Sequence, residues 1–137
     1  MFPKKHIKEK QPTLFIENII KGIKIHTIRR NFDLWRKRMD DVNAGIAELS
    51  LRFWTGIPYK SKQKEFLRLN KHSGCGYQQL DFDAALGIFI DSYDSYVSIK
   101  EIAKNDGLSF DDFKSWFKNY NLSETMCIIH FTNFRYE

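Results

Sequence analysis

Gly22-Ile23-Lys24-Ile25-His26-Thr27-Ile28-Arg29 is the stretch on which the fold turns. Its β-branched residues predict a strand over 23–29. A short helix precedes it. Thr13 stands where an N-cap belongs, and Leu14, Phe15, Ile16, Ile19 and Ile20 give a broad apolar face. Glu17 lies in the early turns and Lys21 near the end, and both suit the helix dipole. Gly22 takes the C′ position, where a left-handed conformation ends a helix. The chain thus leaves a helix at glycine and enters a strand as K-x-x-T-I-R.

Downstream, Asn31 or Asp33 starts a second helix that runs to about Asn43. Phe32, Trp35, Met39 and Val42 recur at spacings of three and four and mark its buried stripe. Arg36, Lys37, Arg38, Asp40 and Asp41 fall largely on the solvated side, and Gly45 ends the helix. Residues 47–53 then alternate strictly. Ala47, Leu49, Leu51 and Phe53 interleave with Glu48, Ser50, Arg52 and Trp54, a period of two that defines a strand. Residues 55–58 read as a turn, 63–69 as a strand, 71–76 as a loop and 86–90 as a short buried strand. Ser98 with Glu101, and Ser109 with Asp112, are two capping-box spacings that open two further helices, the first ending near Gly107. Phe110, Phe113, Trp116 and Phe117 line one side of the second. In the final run, 126–134, Cys127, Ile129 and Phe131 alternate with Met126, Ile128, His130, Thr132 and Phe134. Helices and strands are interspersed without the regularity of a doubly wound sheet. The expectation is an α+β domain with a small, strongly bent mixed sheet or barrel and peripheral helices.

Size and charge narrow the classes. The 137 residues suit one domain, expected over 13–137 behind a basic arm at 1–12 that holds Lys4, Lys5, Lys8 and Lys10. A hydrophobic fraction of 42% and a charged fraction of 28% exclude a disordered or collagen-like chain. No apolar run approaches the ~20 residues of a membrane span, and no apolar stretch follows the basic arm as a signal peptide requires. Two cysteines make no disulfide framework, so a cytoplasmic location is expected. The net charge is +5, but it is unevenly spread. Residues 1–80 carry 17 basic and 7 acidic side chains, a net of +10, whereas 81–137 carry 5 and 10, a net of −5. A basic half attracts phosphate backbones, or is neutralised by the acidic half beside it.

Several chemistries find no motif. There is no phosphate-binding glycine loop, no CxxC pair and no nucleophile elbow. His72 and Cys75 have a ligand-like spacing with no second pair to complete a zinc site. No metal and no cofactor are expected.

The K-x-x-T-I-R segment behind a first helix resembles the opening motif of the ASCH domains, part of the PUA-like superfamily of small β-barrels. Residues 126–136 resemble the closing strand of that barrel, and 47–53 suit the strand that follows the opening motif. The likeness covers most of 13–136, with 60–97 as an insertion. In members that resemble acetylcytidine amidohydrolases, the lysine and threonine of K-x-x-T are catalytic together with a later glutamate. The resemblance carries these roles to Lys24 and Thr27. The matching junction here reads Ala103-Lys104-Asn105-Asp106-Gly107-Leu108-Ser109, which makes Asp106 the acid, one methylene shorter than glutamate. In that chemistry Thr27 is the nucleophile. Lys24 is either its base or the cation that stabilises an oxyanion. Asp106 orients water or shuttles a proton. Three apart on a regular strand, Lys24 and Thr27 point to opposite faces, so they converge only if the chain turns or bulges near Ile25, or if the long lysine stem reaches around.

The resemblance also implies RNA or a nucleoside or nucleotide derivative as partner. Arg29, Arg30 and Arg52 are the candidates for phosphate or base-edge contacts. Trp54 and Tyr59 are candidates for stacking on a base, or else packing residues. His26 is expected on the face opposite Thr27, and His130 on the mixed face of the last strand. Three functions follow: a binding module for RNA or a nucleotide derivative, an amidohydrolase acting on an acylated nucleoside, or a module whose basic half docks an acidic protein.

Overall fold

The computed structural model describes residues 13–82, 87–91 and 95–137. The basic arm expected at 1–12 lies outside them, as does Leu86 at the head of an expected strand. Helix α1 spans Phe15–Ile20 and α2 spans Phe32–Asn43, with strand β1, His26–Arg29, between them. Gly22, at φ +74°, ends α1. Its N–H bonds Ile19 O, and the N–H of Ile23 bonds Asn18 O at 2.8 Å, a complete Schellman motif. The N–H of Lys24 also reaches Asn18 O. Ile23 and Lys24 therefore belong to the helix cap, and the strand expected from 23 begins only at His26. Thr13 Oγ1 accepts from Phe15 N, but the residue at the N-cap is Leu14, in a left-handed conformation. Asn31 caps α2 through Leu34 N, and Gly45 ends it as expected.

Strands β2, Leu49–Trp54, and β3, Gln63–Leu69, form an antiparallel hairpin with a bulge between Leu51 and Arg52. Four further strands follow. They are β4, Gly76–Phe82, β5, Ile88–Ile90, β6, Ser95–Val97, and β7, Met126–His130. With β1 they make a second sheet in the order β1-β7-β4-β5-β6. Helices α3, Ile99–Asn105, and α4, Phe110–Phe117, lie between β6 and β7. Ser98 accepts from Glu101 N at 3.2 Å and Ser109 from Asp112 N at 3.1 Å, so both capping serines act as the spacing predicts.

Every pairing among the described residues is antiparallel, which corrects the expected mixed sheet. Parallel neighbours need long crossovers, whereas the links from β4 to β5 and from β5 to β6 are too short for one. The stretch 60–97 supplies β3 to β6, and β4 sits directly against β7. Strands β4 and β6 had no apolar run to announce them.

Strand β7 is buried along its whole length because both of its faces carry a core. Met126 and Ile128 join Ile28, Leu80, Ile88, Ile102 and Phe113 on one side. Cys127, Ile129 and Phe131 join Met39, Val42 and Leu69 on the other, where Leu49 and Leu51 of the hairpin also pack. The alternation read at 126–134 is thus an alternation between two cores. Each fully buried isoleucine contributes roughly 1.5–3 kcal/mol of transfer free energy, so neither face is dispensable. Among the described residues, no helix is long and apolar enough to cross a membrane.

Candidate functional site

The site begins with the way the K-x-x-T segment meets the end of α3. A helix leaves its last carbonyls without partners. Here Asn105 O accepts from the N–H of Ile25 at 2.9 Å. Asp106 O accepts from Lys24 Nζ at 2.8 Å. The same ammonium bonds Asp106 Oδ1 at 2.9 Å and stands 4.1 Å from the centre of the Phe15 ring. Lys24 is only 4% exposed and Asp106 only 5%. Gly107 makes this approach possible. It has a φ of +74°, and a Cβ there would stand 2.9 Å from Lys24 Cβ.

The electrostatics follow from burial. Desolvation pulls the Lys24 ammonium below its ordinary value of 10.5, and Asp106 opposes that pull. Burial pushes the Asp106 carboxyl up, but Lys24 and His26 outweigh it and hold the acid below 3.8. His26 Nδ1 lies 3.3 Å from Asp106 Oδ1, at an angle short of a hydrogen bond. As the alternation predicts, His26 is buried on the side away from Thr27. Its Nε2 is 2.6 Å from the Tyr136 hydroxyl, which also accepts from Asn105 Nδ2.

Behind this pair lies a second buried set. Gln78 Oε1 accepts from Tyr136 N at 2.8 Å and pairs with His130 Nε2 at 3.0 Å. Gln78 Nε2 donates to Tyr136 O and to Asp91 Oδ2. Burial above all, helped by His26 and Arg135, drives the His130 imidazole down to about 3. His130 is therefore a neutral structural residue and not part of the cleft wall.

In front of the pair opens a cleft of about 1370 Å³ between the main sheet and the hairpin. Lys24, Thr27 and Asp106 all line it. Lys24 lies outside β1, which starts only at His26, so the strict alternation of a regular strand does not govern Lys24 and Thr27. Thr27 lies opposite Ile129 in the register, and its Oγ1 accepts from Arg29 Nη1 at 2.9 Å. Four of the five predicted ligand residues, Arg29, Arg52, Trp54 and Tyr59, line the same cleft. Arg52 Nε donates to Ser50 Oγ. The Trp54 and Tyr59 rings stand 5.1 Å apart.

Arg30 is the exception. Its Nε and Nη2 both reach Glu124 Oε2, at 3.1 and 2.8 Å, and it is not in the cleft wall. Arg38, read as solvated, does line the cleft, with its guanidinium 4.8 Å from the Trp35 ring centre. Its position three residues beyond Trp35 was the available signal. Tyr136, Gln78 and Asn105 gave none, since their partners are set by tertiary contact alone. Among the described residues, Arg29, Arg38 and Arg52 have no carboxylate partner within ion-pair distance. With Glu17 as the one carboxylate beside these three arginines in the described wall, the cleft is net cationic at its walls and neutralised by Lys24 and Asp106 at its floor.

No family model matches the chain, and no curated protein or solved structure matches it significantly.

The His130 shift has a testable sign. The unfolded chain takes up a proton near pH 6.5 that the folded chain refuses until about 3. This contribution is intact above 6.5 and is lost as pH falls toward 3, at up to about 1.4 kcal/mol per pH unit. Urea unfolding across that window should therefore show a steeper acid loss in the wild type than in His130→Gln. Equal slopes would contradict a buried neutral His130.

Proposed function

We propose that this chain is an ASCH-like, PUA-like domain that binds RNA or a nucleotide derivative in the cleft beside the K-x-x-T-I-R segment. In this reading the hairpin β2–β3 closes a strongly bent barrel. Two contacts support that closure: β1 lies beside the last strand β7, and Leu49 and Leu51 pack on the cluster holding Cys127 and Ile129. A cytoplasmic location goes with the proposal, and Cys75 and Cys127 are both buried free thiols.

One observation carries the binding role. Among the described residues, the cleft's Arg29, Arg38 and Arg52 have no carboxylate within ion-pair distance, and a pair of aromatic rings lines the same cleft. Guanidinium forks suit phosphate oxygens, and rings stack on any base face. Arg29, Arg38 and Arg52 take the phosphate role, Trp54 and Tyr59 the base. Arg30 leaves the set because Glu124 occupies it.

A second reading, the amidohydrolase, is favoured by the gathering of Lys24, Thr27 and Asp106 along one cleft. Thr27 Oγ1 would attack the amide carbon, the amine would leave with a proton, and water would release the acid from the ester. The geometry ranks this second. Lys24 spends two of its three donors on Asp106, and the hydroxyl of Thr27 is engaged by Arg29.

Titration of a labelled single-stranded RNA should show affinity falling with salt, with a log–log slope of about −0.7 per neutralised phosphate. Arg29→Ala should flatten that slope by about one such unit, and Trp54→Ala should weaken binding by about tenfold or more. Salt-independent binding would defeat the phosphate role. The second reading makes a separate claim: acetate is released from acetylcytidine at high enzyme concentration and release stops in Thr27→Ala. A folded wild-type protein that releases none would end it for that substrate.

A further inference from the structure

The hairpin carries more charge than the cleft needs. Residues 52–68 hold Arg52, Lys60, Lys62, Lys64 and Arg68 against one carboxylate, Glu65, a formal charge of +4. Glu65 is already engaged: it accepts from Ser50 Oγ and from Arg68 Nε. Lys60, Lys62 and Lys64 are exposed, and among the described residues none has an ion-pair partner.

The tip between the two strands is built, not slack. Thr55 N and Oγ1 both bond Lys62 O, Gly56 N donates to Ser61 Oγ, and Ser61 Oγ donates to Ile57 O. This cross-bonding holds Tyr59 at φ +63°, a conformation that bulky side chains rarely adopt. The outcome is an apolar tip turned to solvent: Tyr59 is 89% exposed and Ile57 65%. Trp54, Pro58 and Tyr59 belong to the cleft wall, so the hairpin tip adjoins the cleft.

We propose that the hairpin tip is a second nucleic-acid contact. The ligand is then a single-stranded polynucleotide: one nucleotide enters the cleft, and its neighbours run along residues 57–64. Lys60, Lys62 and Lys64 neutralise the flanking phosphates, and Ile57 offers apolar area to a flanking base. A free nucleotide would leave all of this surface unused. The inference rests on the cleft reading and narrows its ligand from a nucleotide derivative to a strand.

The experiment compares labelled oligouridylate with uridine 5′-monophosphate as a competitor, on the full chain and on Lys60→Ala/Lys62→Ala/Lys64→Ala. These side chains are exposed, and matching thermal melts check that the variant is folded. The variant should lose about tenfold in oligonucleotide affinity and flatten the salt slope by about 2. Its affinity for the mononucleotide should be unchanged. Equal oligonucleotide affinity and slope in the two proteins, with binding still lost in Arg29→Ala, would overturn the hairpin contact and leave the cleft reading standing. Failure of both ligands to bind the wild type would overturn both. Lysine-dependent binding to phosphatidylserine vesicles without lysine-dependent RNA binding would assign the tip to an anionic membrane surface instead and overturn the proposal.

Discussion

The ammonium of Lys24 meets both the backbone carbonyl and the carboxylate of Asp106 at the end of α3, and much of the molecule is arranged around that contact. Lys24 belongs to the cap of α1, so the pair binds the first helix to the third. It also starts β1, because Ile25 must satisfy Asn105 O before the chain can extend. A buried ion pair is a poor source of net stability, since desolvation offsets most of the attraction. Its cost when broken is large. Removing one partner leaves the other charged and dry, at about 3–5 kcal/mol. The pair therefore acts as a constraint on where α3 and β1 sit, and Gly107 is the residue that leaves room for it.

From that constraint the cleft follows. With β1 started at His26, the alternation sends His26 and Ile28 into the interior and Thr27 and Arg29 to the other side. Pairing of β1 with β7 then sets Thr27 opposite Ile129, above the core on which the hairpin packs. Arg29 and the hairpin residues Arg52, Trp54 and Tyr59 come to face one cleft from elements that are far apart in the chain. The polar set behind the floor, from Tyr136 through Gln78 to His130, pairs most of its buried groups by hydrogen bonds, while His130 Nδ1 is left without one.

Local chemistry was legible in the sequence wherever it is decided locally. Ser98 with Glu101 and Ser109 with Asp112 opened α3 and α4, and Gly22, Gly45 and Gly107 closed α1, α2 and α3 at positive φ. The period-two run at the end of the chain told two faces apart. Strand β4 was illegible, because Gln78 and Gln79 look like loop residues until His130 and Tyr136 supply partners for Gln78. Arg30 looked as free as Arg29, because its partner Glu124 lies 94 residues away. Lys24 and Asp106, 82 residues apart, were named by family resemblance, and no spacing in the chain pairs them. Non-local electrostatics therefore decided both the candidate that stays in the site and the one that leaves it.

The cleft floor stands on coupling between Lys24 and Asp106, and a double-mutant cycle measures it directly. Unfolding free energies would be taken for the wild type, Lys24→Met, Asp106→Asn and the double variant. Each single variant is predicted to lose about 3–5 kcal/mol, and the double variant less than the sum of the two, by more than about 1 kcal/mol. Additive losses would contradict the account, because they would mean that the two side chains are stabilised independently and that the cleft floor is not held by their pairing.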